Sequence, residues 1–231
     1  MKSVLTLLLT FLSVQFASAH ALWIETNATG VKHAKQEVKI FYGEYASKEI
    51  EPLDKWYSDV KDFKLILTSP SNKQIEIQKT ITGDHFTANF TPTEDGIYVL
   101  SIYHAGKDLS KTNLYAFSSL AFVKVSGNTL PAITNNFYVK VNPKEYEAGN
   151  TVEVIVIKSG KPLADAEVLV MSQEGWSKSF KTDQQGKISF TALWKGNYVF
   201  EASFGENKEG EWNGKPFTYA WEGTTTFLTV N

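Results

Sequence analysis

The sequence predicts an all-β fold of two tandem β-sandwich domains. Short segments rich in β-branched and aromatic residues recur at intervals of about 8–12 residues, with apolar side chains at alternate positions. Clusters of Gly, Pro, Asn and Asp separate these segments and indicate turns. The chain contains no cysteine, so packed cores must stabilise the fold without disulfides. A hydrophobic content of 42% is enough for two such cores.

The first nineteen residues have the features of a secretory signal peptide. Lys2 supplies a positive charge, residues 4–16 form an apolar run, and residues 17–19 read Ala-Ser-Ala, a small-x-small cleavage pattern. The run is shorter than the roughly 20 residues that cross a bilayer as a helix, so an uncleaved membrane anchor is the weaker alternative. We therefore expect export across the inner membrane and a soluble periplasmic or extracellular protein that begins at His20 and has no membrane span.

The charge balance argues against nucleic acid as a partner. The formal net charge of the 231 residues is −2, and no run of basic residues stands out. Proteins that bind nucleic acid normally present a basic patch or stripe to the phosphate backbone. We therefore expect no nucleic-acid partner.

The first predicted domain spans residues 20–127. Its predicted strands are 38–42, 63–67, 74–77, 85–90, 97–103 and 121–125. A helical insertion is expected at 49–60, where Pro52 can open a turn. Tyr98 follows the Asp95-Gly96 turn on an alternating strand, an arrangement typical of the corner of Ig-like sandwiches, and this indicates a structural role.

A linker at residues 126–131 precedes the second predicted domain, which spans residues 135–231. Its predicted strands are 137–141, 151–157, 166–171, 176–182, 187–190, 196–203 and 224–230. The order of GKPLADAEV at 160–168, TDQQGKISF at 182–190 and GNYVF at 196–200 resembles the prealbumin-like or carboxypeptidase-regulatory-like β-sandwich. Asp183 and Gly186 suit a tight hairpin loop, and a metal-ligand role for Asp183 is the weaker alternative.

His20 is the candidate metal ligand that the cleavage site creates. Once residue 19 is removed, His20 carries both an imidazole and a free α-amine, which can chelate one ion together. Nitrogen donors of this kind suit Ni, Co, Cu or Zn and do not suit Ca or Mg. The alternative is that a histidine stands at the new terminus by chance.

His85 and His104 are the two further candidate ligands. His85 begins one predicted strand and His104 follows the next, with the loop 91–96 between them. If the two strands pair as a hairpin with Phe90 near Ile97, both histidines project from the same face of the sheet. For each of them, a satisfied polar residue at the rim of a sandwich is the alternative.

Sequence motifs for catalysis are missing. The chain has no thiol, no G-x-S-x-G elbow, no Gly-rich phosphate loop and no H-E-x-x-H pattern, so we expect no enzyme activity. A copper oxygenase that binds its metal through a terminal histidine is the enzymatic alternative. Exposed aromatic residues give a further alternative, because Trp176, Trp194, Trp212 and Trp221 could stack on sugars in a carbohydrate-binding or structural surface protein without metal.

The mature start HALWIE at 20–25, together with FYGEY at 41–45 and the D-G-x-Y strand, resembles the bacterial DUF4198 family of exported proteins. That resemblance implies a link to nickel or cobalt uptake and a prealbumin-like second sandwich. It implies His20 as the metal ligand with Trp23 and Glu25 as neighbours, His104 as a second ligand, and a ligand role for Glu44. The expected partners are a transition metal ion (Ni, Co, Cu or Zn) and a membrane metal-uptake system that this chain serves as an accessory or carrier.

Overall fold

The computed structural model describes residues 20–231 and shows an all-β fold, which confirms the predicted fold class. The predicted signal peptide, residues 1–19, lies outside the described residues. Within 20–231, helical structure is limited to the 3-10 turns Leu53–Lys55 and Val60–Asp62. None of the helices in this range is long and apolar enough to cross a membrane.

The described part of the chain forms seventeen strands, numbered in chain order. The first nine are β1 Ala21–Thr26, β2 Gln36–Glu44, β3 Glu49–Ile50, β4 Leu65–Thr68, β5 Gln74–Ile77, β6 Lys79–Thr82, β7 His85–Phe90, β8 Gly96–Ala105 and β9 Asn113–Val125. The others are β10 Phe137–Val141, β11 Thr151–Lys158, β12 Lys161–Pro162, β13 Glu167–Ser172, β14 Ser177–Lys181, β15 Lys187–Thr191, β16 Gly196–Trp212 and β17 Lys215–Val230.

These strands form three sheets. Sheet A has the order β1-β2-β7-β6, with β3 paired to β2. Sheet B is the largest, with the order β14-β13-β16-β17-β9-β8-β4-β5, and sheet C has the order β10-β11-β12, with β15 also paired to β11. The β17–β9 pair is parallel and joins the last strand of the chain to the last strand of the first predicted domain. Sheet B therefore contains strands from both predicted domains.

Two hydrophobic cores lie on the two faces of sheet B. Side chains of sheet A such as Leu22 and Ile40 pack with Leu100 of β8 in the first core. Val154 of sheet C packs in the second core with Val99, the neighbour of Leu100 on the same strand. Successive side chains of a strand point to opposite faces, so β8 and β9 supply residues to both cores. The two predicted sandwiches thus share their middle sheet.

The strand predictions hold best where short apolar alternation is strong. The predicted segments 74–77, 85–90 and 137–141 match β5, β7 and β10 in both bounds. By contrast β9, β16 and β17 extend well beyond the predicted strands, and β1, β3, β6 and β12 were not predicted. The expected helix at 49–60 is wrong. The segment holds β3, the 3-10 turn Leu53–Lys55 and the first residue of the 3-10 turn Val60–Asp62, because residues 49–50 pair with β2 as a strand.

Tyr98 and Asp183 have the structural roles in turns that the sequence predicts for them. The hydroxyl of buried Tyr98 accepts hydrogen bonds from the backbone N–H groups of Thr93 (3.0 Å) and Glu94 (2.7 Å). The Asp183 carboxylate accepts hydrogen bonds from the N–H groups of Gln185 and Lys187, each at 2.9 Å. Each side chain therefore closes the loop beside its own strand.

The predicted hairpin between β7 and β8 is wrong. Strand β7 pairs with β2 and β6 in sheet A, whereas β8 pairs with β4 and β9 in sheet B. The loop between them crosses from one sheet of the sandwich to the other. The predicted shared face of His85 and His104 depended on that hairpin and is therefore wrong as well.

Candidate metal centre at His20

His20 lies at the rim of the first core, immediately before β1. Leu22 and Ile24 of β1 point into this core, and alternation along the strand places His20 on the same side. The imidazole stacks on the ring of Tyr42, with 5.5 Å between ring centroids and an angle of 23° between the planes. The side chain remains 36% exposed, so an ion in solution can reach it.

Two carboxylates flank the His20 ring on its two nitrogen atoms. His20 Nδ1 lies 3.7 Å from Glu44 Oε1, and His20 Nε2 lies 2.9 Å from Glu51 Oε1. Both glutamate side chains are 17% exposed. Glu44 ends β2, and Glu51 follows β3, whose pairing with β2 brings the two acids together. Two adjacent strands of sheet A thus supply the acidic groups.

A cavity of about 430 Å³ opens beside His20. Besides His20 and Glu51, its walls include the aromatic side chains of Tyr57, Tyr115 and Trp221. Trp221 packs edge-on against Tyr115, with 5.6 Å between the ring centroids. The nitrogen and carboxylate groups therefore stand at the edge of an aromatic-lined cavity that is open to solvent.

The Glu44 carboxylate also affects the pKa of a third acidic residue, Glu201. Burial, together with the nearby Glu44 carboxylate, raises the pKa of Glu201 to about 8. Glu201 lies on β16 two residues after Val199, which packs with Trp23 and Phe41 on the sheet A side of sheet B. Glu201 therefore holds its proton near neutral pH, and a cation bound at Glu44 would favour release of that proton.

The donor geometry allows an ion between His20 and Glu44. Two atoms bound to one ion at about 2.0–2.2 Å lie roughly 3–4 Å apart, and the Nδ1–Oε1 distance of 3.7 Å is in that range. Glu51 contacts the other ring nitrogen, Nε2. In metal sites, the carboxylates that orient a metal-binding histidine occupy the same position. Among the His, Asp and Glu side chains of residues 20–231, no group of three forms a complete metal site. A third donor would have to come from elsewhere.

His104 contacts a different carboxylate, that of Asp59. Its Nε2 atom lies 2.9 Å from Asp59 Oδ1, and the side chain is 15% exposed. Asp59 also accepts the backbone N–H of Lys107 at 2.7 Å. Burial opposes ionisation of Asp59, but the bonds from His104 and Lys107 outweigh it and lower the pKa of the carboxyl. His104 thus ties the segment that contains Glu51 and Asp59 to β8.

His85 lies on the opposite face of sheet A from His20. It stacks on Phe41, with 4.7 Å between centroids, whereas His20 stacks on Tyr42, the next residue of β2. Burial, and then the charge of Lys39, lower the pKa of the His85 imidazole. The contacts of His85 are therefore those of an aromatic packing residue at the start of β7.

The neighbours that the family resemblance implied point away from the site. Trp23 is buried against Phe41, and its Nε1–H donates to Glu25 Oε1 at 2.9 Å. The acidic groups in contact with the His20 ring are instead Glu44 and Glu51, and Glu201 lies near Glu44. Glu51 and Glu201 were not found from the sequence, because 31 residues separate Glu51 from His20 and no local pattern signals the contact.

Comparison with known families finds one match. Residues 137–206 match the family described as "Domain of unknown function (DUF4198)", which confirms the predicted resemblance to that family. The matched segment runs from β10 into β16 in the second predicted domain and does not include His20. No curated protein matches the chain.

Several solved structures share a strand-rich architecture with the chain. A DUF4785 family protein from Legionella pneumophila is 14% identical, with a TM-score of 0.31 over 78% of this chain and 50% of that one. A two-domain fibronectin type III segment of chicken tenascin is 12% identical, with a TM-score of 0.27 over 90% and 97% of the two chains. The chain thus spans about half the length of the DUF4785 protein. At such TM-scores the likeness carries no argument about function.

Proposed function

We propose that this protein is exported and, after cleavage before His20, binds a transition metal ion as an accessory or carrier protein. The observation that carries the proposal is the position of His20 between two carboxylates, with Nδ1 3.7 Å from Glu44 and Nε2 2.9 Å from Glu51. The metal is the cargo, and imidazole with carboxylate donors suits Ni, Co, Cu or Zn.

The three ligands in this proposal are the α-amine of His20, its Nδ1 atom and Glu44. Cleavage frees the amine, which then forms a chelate ring with Nδ1 of the same residue. Glu51 accepts a hydrogen bond from Nε2–H, which leaves the lone pair of Nδ1 available to the ion. The open cavity beside His20 leaves room for a further ligand from water or from a partner that receives the ion. His104 and His85 have other partners and are not needed.

The test compares metal binding by two forms of the protein in calorimetric titrations with NiCl₂, CoCl₂, CuCl₂ and ZnCl₂. One form begins at His20 and the other carries one additional glycine before it. We expect the extra residue to weaken binding of cobalt and zinc at least about tenfold, because it converts the amine into an amide whose nitrogen has no lone pair for these two ions. Equal affinities would contradict the proposal. Mass spectrometry of the exported protein shows whether cleavage leaves His20 first.

A second candidate function, carbohydrate binding, has support from one exposed surface. Trp194 is 40% exposed and Leu193 58% exposed, and the ring of Trp194 lies 5.9 Å from that of Trp176. Aromatic faces of this kind can stack on sugars. In gels that contain soluble cellulose, chitin or starch derivatives, Trp194→Ala would then migrate faster than the wild type. Unretarded migration of the wild type in all of the gels would remove this candidate.

A further inference from the structure

A second cavity, of about 540 Å³, has a strongly basic lining. It lies where β10 of sheet C meets the segment that follows β9, and residues of β8, β9, β10, β11 and β15 contribute to it. The charged residues that line it are Lys124, Lys140, Lys144, Lys187 and Glu153. Four positive charges therefore face one negative charge in a protein whose formal net charge is −2.

Three of the four lysines form no ion pair within residues 20–231, and Lys144 acts on Glu153 only at longer range. Lys187 Nζ lies 2.8 Å from Glu153 Oε1, and this pairing lowers the pKa of Glu153. Within residues 20–231, no ion pair is formed by Lys124, Lys140 or Lys144. Lys124 and Lys140 are also partly buried. The single carboxylate is thus occupied, and the net charge of the cavity remains positive.

The register of sheet C places two of these lysines in one row. Lys140 of β10 is the Cα partner of Ile155 on β11, and Ile155 is in turn the partner of Lys187 on β15. Their neighbours Val139, Val154 and Ile188 point into the second core, so the row lies on the outer face of the sheet. Ile155 separates the two lysines, and Lys187 is paired with Glu153, so Lys140 is the member of this row that forms no ion pair within residues 20–231.

We propose that this cavity binds a phosphate group. Several ammonium groups around one pocket match the charge and the many acceptor oxygens of a phosphate or diphosphate, and lysine binds phosphate as a point charge. The volume is in the range of small-molecule sites, and Ile97 and Leu130 provide apolar wall for the rest of the ligand. A soluble phosphorylated molecule and a phospholipid headgroup are the two sources of such a group.

The test uses sodium pyrophosphate as the probe in calorimetric titrations of the protein at low ionic strength. The variant Lys124→Gln with Lys140→Gln removes two of the unpaired charges, and we expect it to weaken binding at least tenfold. The matched control is Lys178→Gln with Lys181→Gln, which removes two exposed charges from β14. The control should retain the affinity of the wild type within about twofold, and added salt should weaken binding of the wild type.

A vesicle arm identifies the source of the phosphate. Flotation with phosphatidylglycerol vesicles, but not with phosphatidylcholine vesicles, that is lost in the Lys124/Lys140 variant would assign a lipid headgroup. Pyrophosphate binding without flotation would assign a soluble ligand. Binding of neither probe, or equal losses in the two double variants, would overturn the proposal. Equal melting temperatures would show that the variants fold. If Lys124→Gln with Lys140→Gln does not fold, Lys144→Gln at the exposed rim is tested in its place. The metal titrations that test His20 do not depend on whether this cavity binds phosphate, so the two proposals can fail separately.

Discussion

At the scale of single residues, the orientation of His20 depends on one carboxylate contributed from 31 positions further along the chain. The 2.9 Å contact with Glu51 holds the ring so that Nδ1 faces Glu44. We predict that Glu51→Gln lowers metal affinity about tenfold, because carboxylates that orient metal-binding histidines are typically worth 10–100-fold. Glu49→Gln, which changes an exposed acid two positions earlier, is the control and should bind as the wild type does. Calorimetry with NiCl₂ checks both variants, and equal affinities for all three proteins would argue against an orienting role.

Glu201 gives a second residue-scale prediction, for metal-free protein in a chelator. Its pKa is about 8 in the folded protein, above the ordinary value of 4.5. Between these two values the folded state holds a proton that the unfolded state releases, so this group stabilises the fold at low pH and its contribution is lost as pH rises to about 8.

The measurement is the melting temperature from pH 5 to pH 8 by circular dichroism. Relative to Glu201→Gln, the wild type should lose stability across this range. Glu167→Gln, an exposed change on β13, should follow the wild type. A constant difference between the wild type and Glu201→Gln at all pH values would show that the carboxyl does not titrate in this range.

At the scale of structural elements, the short strand β3 positions the acidic side of the site. Gly43 of β2 pairs with Ile50 of β3 and has a φ of 148°, and a Cβ atom there would overlap the backbone carbonyl of Glu49. Glu51 follows β3 directly, and its N–H donates to the carbonyl of Tyr42 at 2.9 Å. The position of Glu51 therefore depends on a glycine in the neighbouring strand.

We predict that Gly43→Ala destabilises the protein by about 1–3 kcal/mol, through a strained φ and displacement of β3. The variant should also bind metal more weakly, because Glu51 moves with the strand. The matched control is Gly83→Ala, where φ is 61° but nothing lies within 4 Å of the added Cβ. Chemical denaturation and metal titration of both variants measure the two effects, and equal behaviour would rule out the proposed overlap.

At the scale of the whole molecule, sheet B couples the two predicted domains. The β17–β9 pairing runs from Tyr219 opposite Asn113 to Thr226 opposite Leu120. Four apolar residues of β8 and β9 pack in the second core, between sheets B and C: Ile97, Val99, Leu120 and Phe122. Buried apolar area is the main favourable contribution to folding, so each half contributes to the stability of the other.

We predict that a fragment of residues 20–127 is much less stable than the complete chain. It would expose those four apolar side chains and the ladder edge of β9 to water. Circular dichroism melting and binding of a hydrophobic dye such as ANS compare the fragment with the protein that begins at His20. A fragment that melts at the same temperature without dye binding would show that the predicted domain 20–127 folds independently.

Much of the secondary structure could be predicted because it depends on neighbours in the sequence. Alternating apolar residues predict β5, β7 and β10, and the turn chemistry around Tyr98 and Asp183 acts over a few residues. Polar strands such as the outer part of β16 could not be found in this way. They are strands because a neighbouring strand pairs with them, and not because one of their faces is apolar.

The alternating pattern and the cleavage signal were enough to predict an all-β chain with a candidate ligand at His20. Only the tertiary structure shows which strands pair. A loop of the same length can close a hairpin or cross between two sheets, and the pattern of apolar residues in β7 and β8 is compatible with both. The same holds for the acidic groups of the site. Glu51 reaches His20 through the pairing of β3 with β2, and Glu201 lies near Glu44 through the packing of sheet A on sheet B. Contacts between residues distant in sequence depend on the whole packed core, which no local pattern encodes.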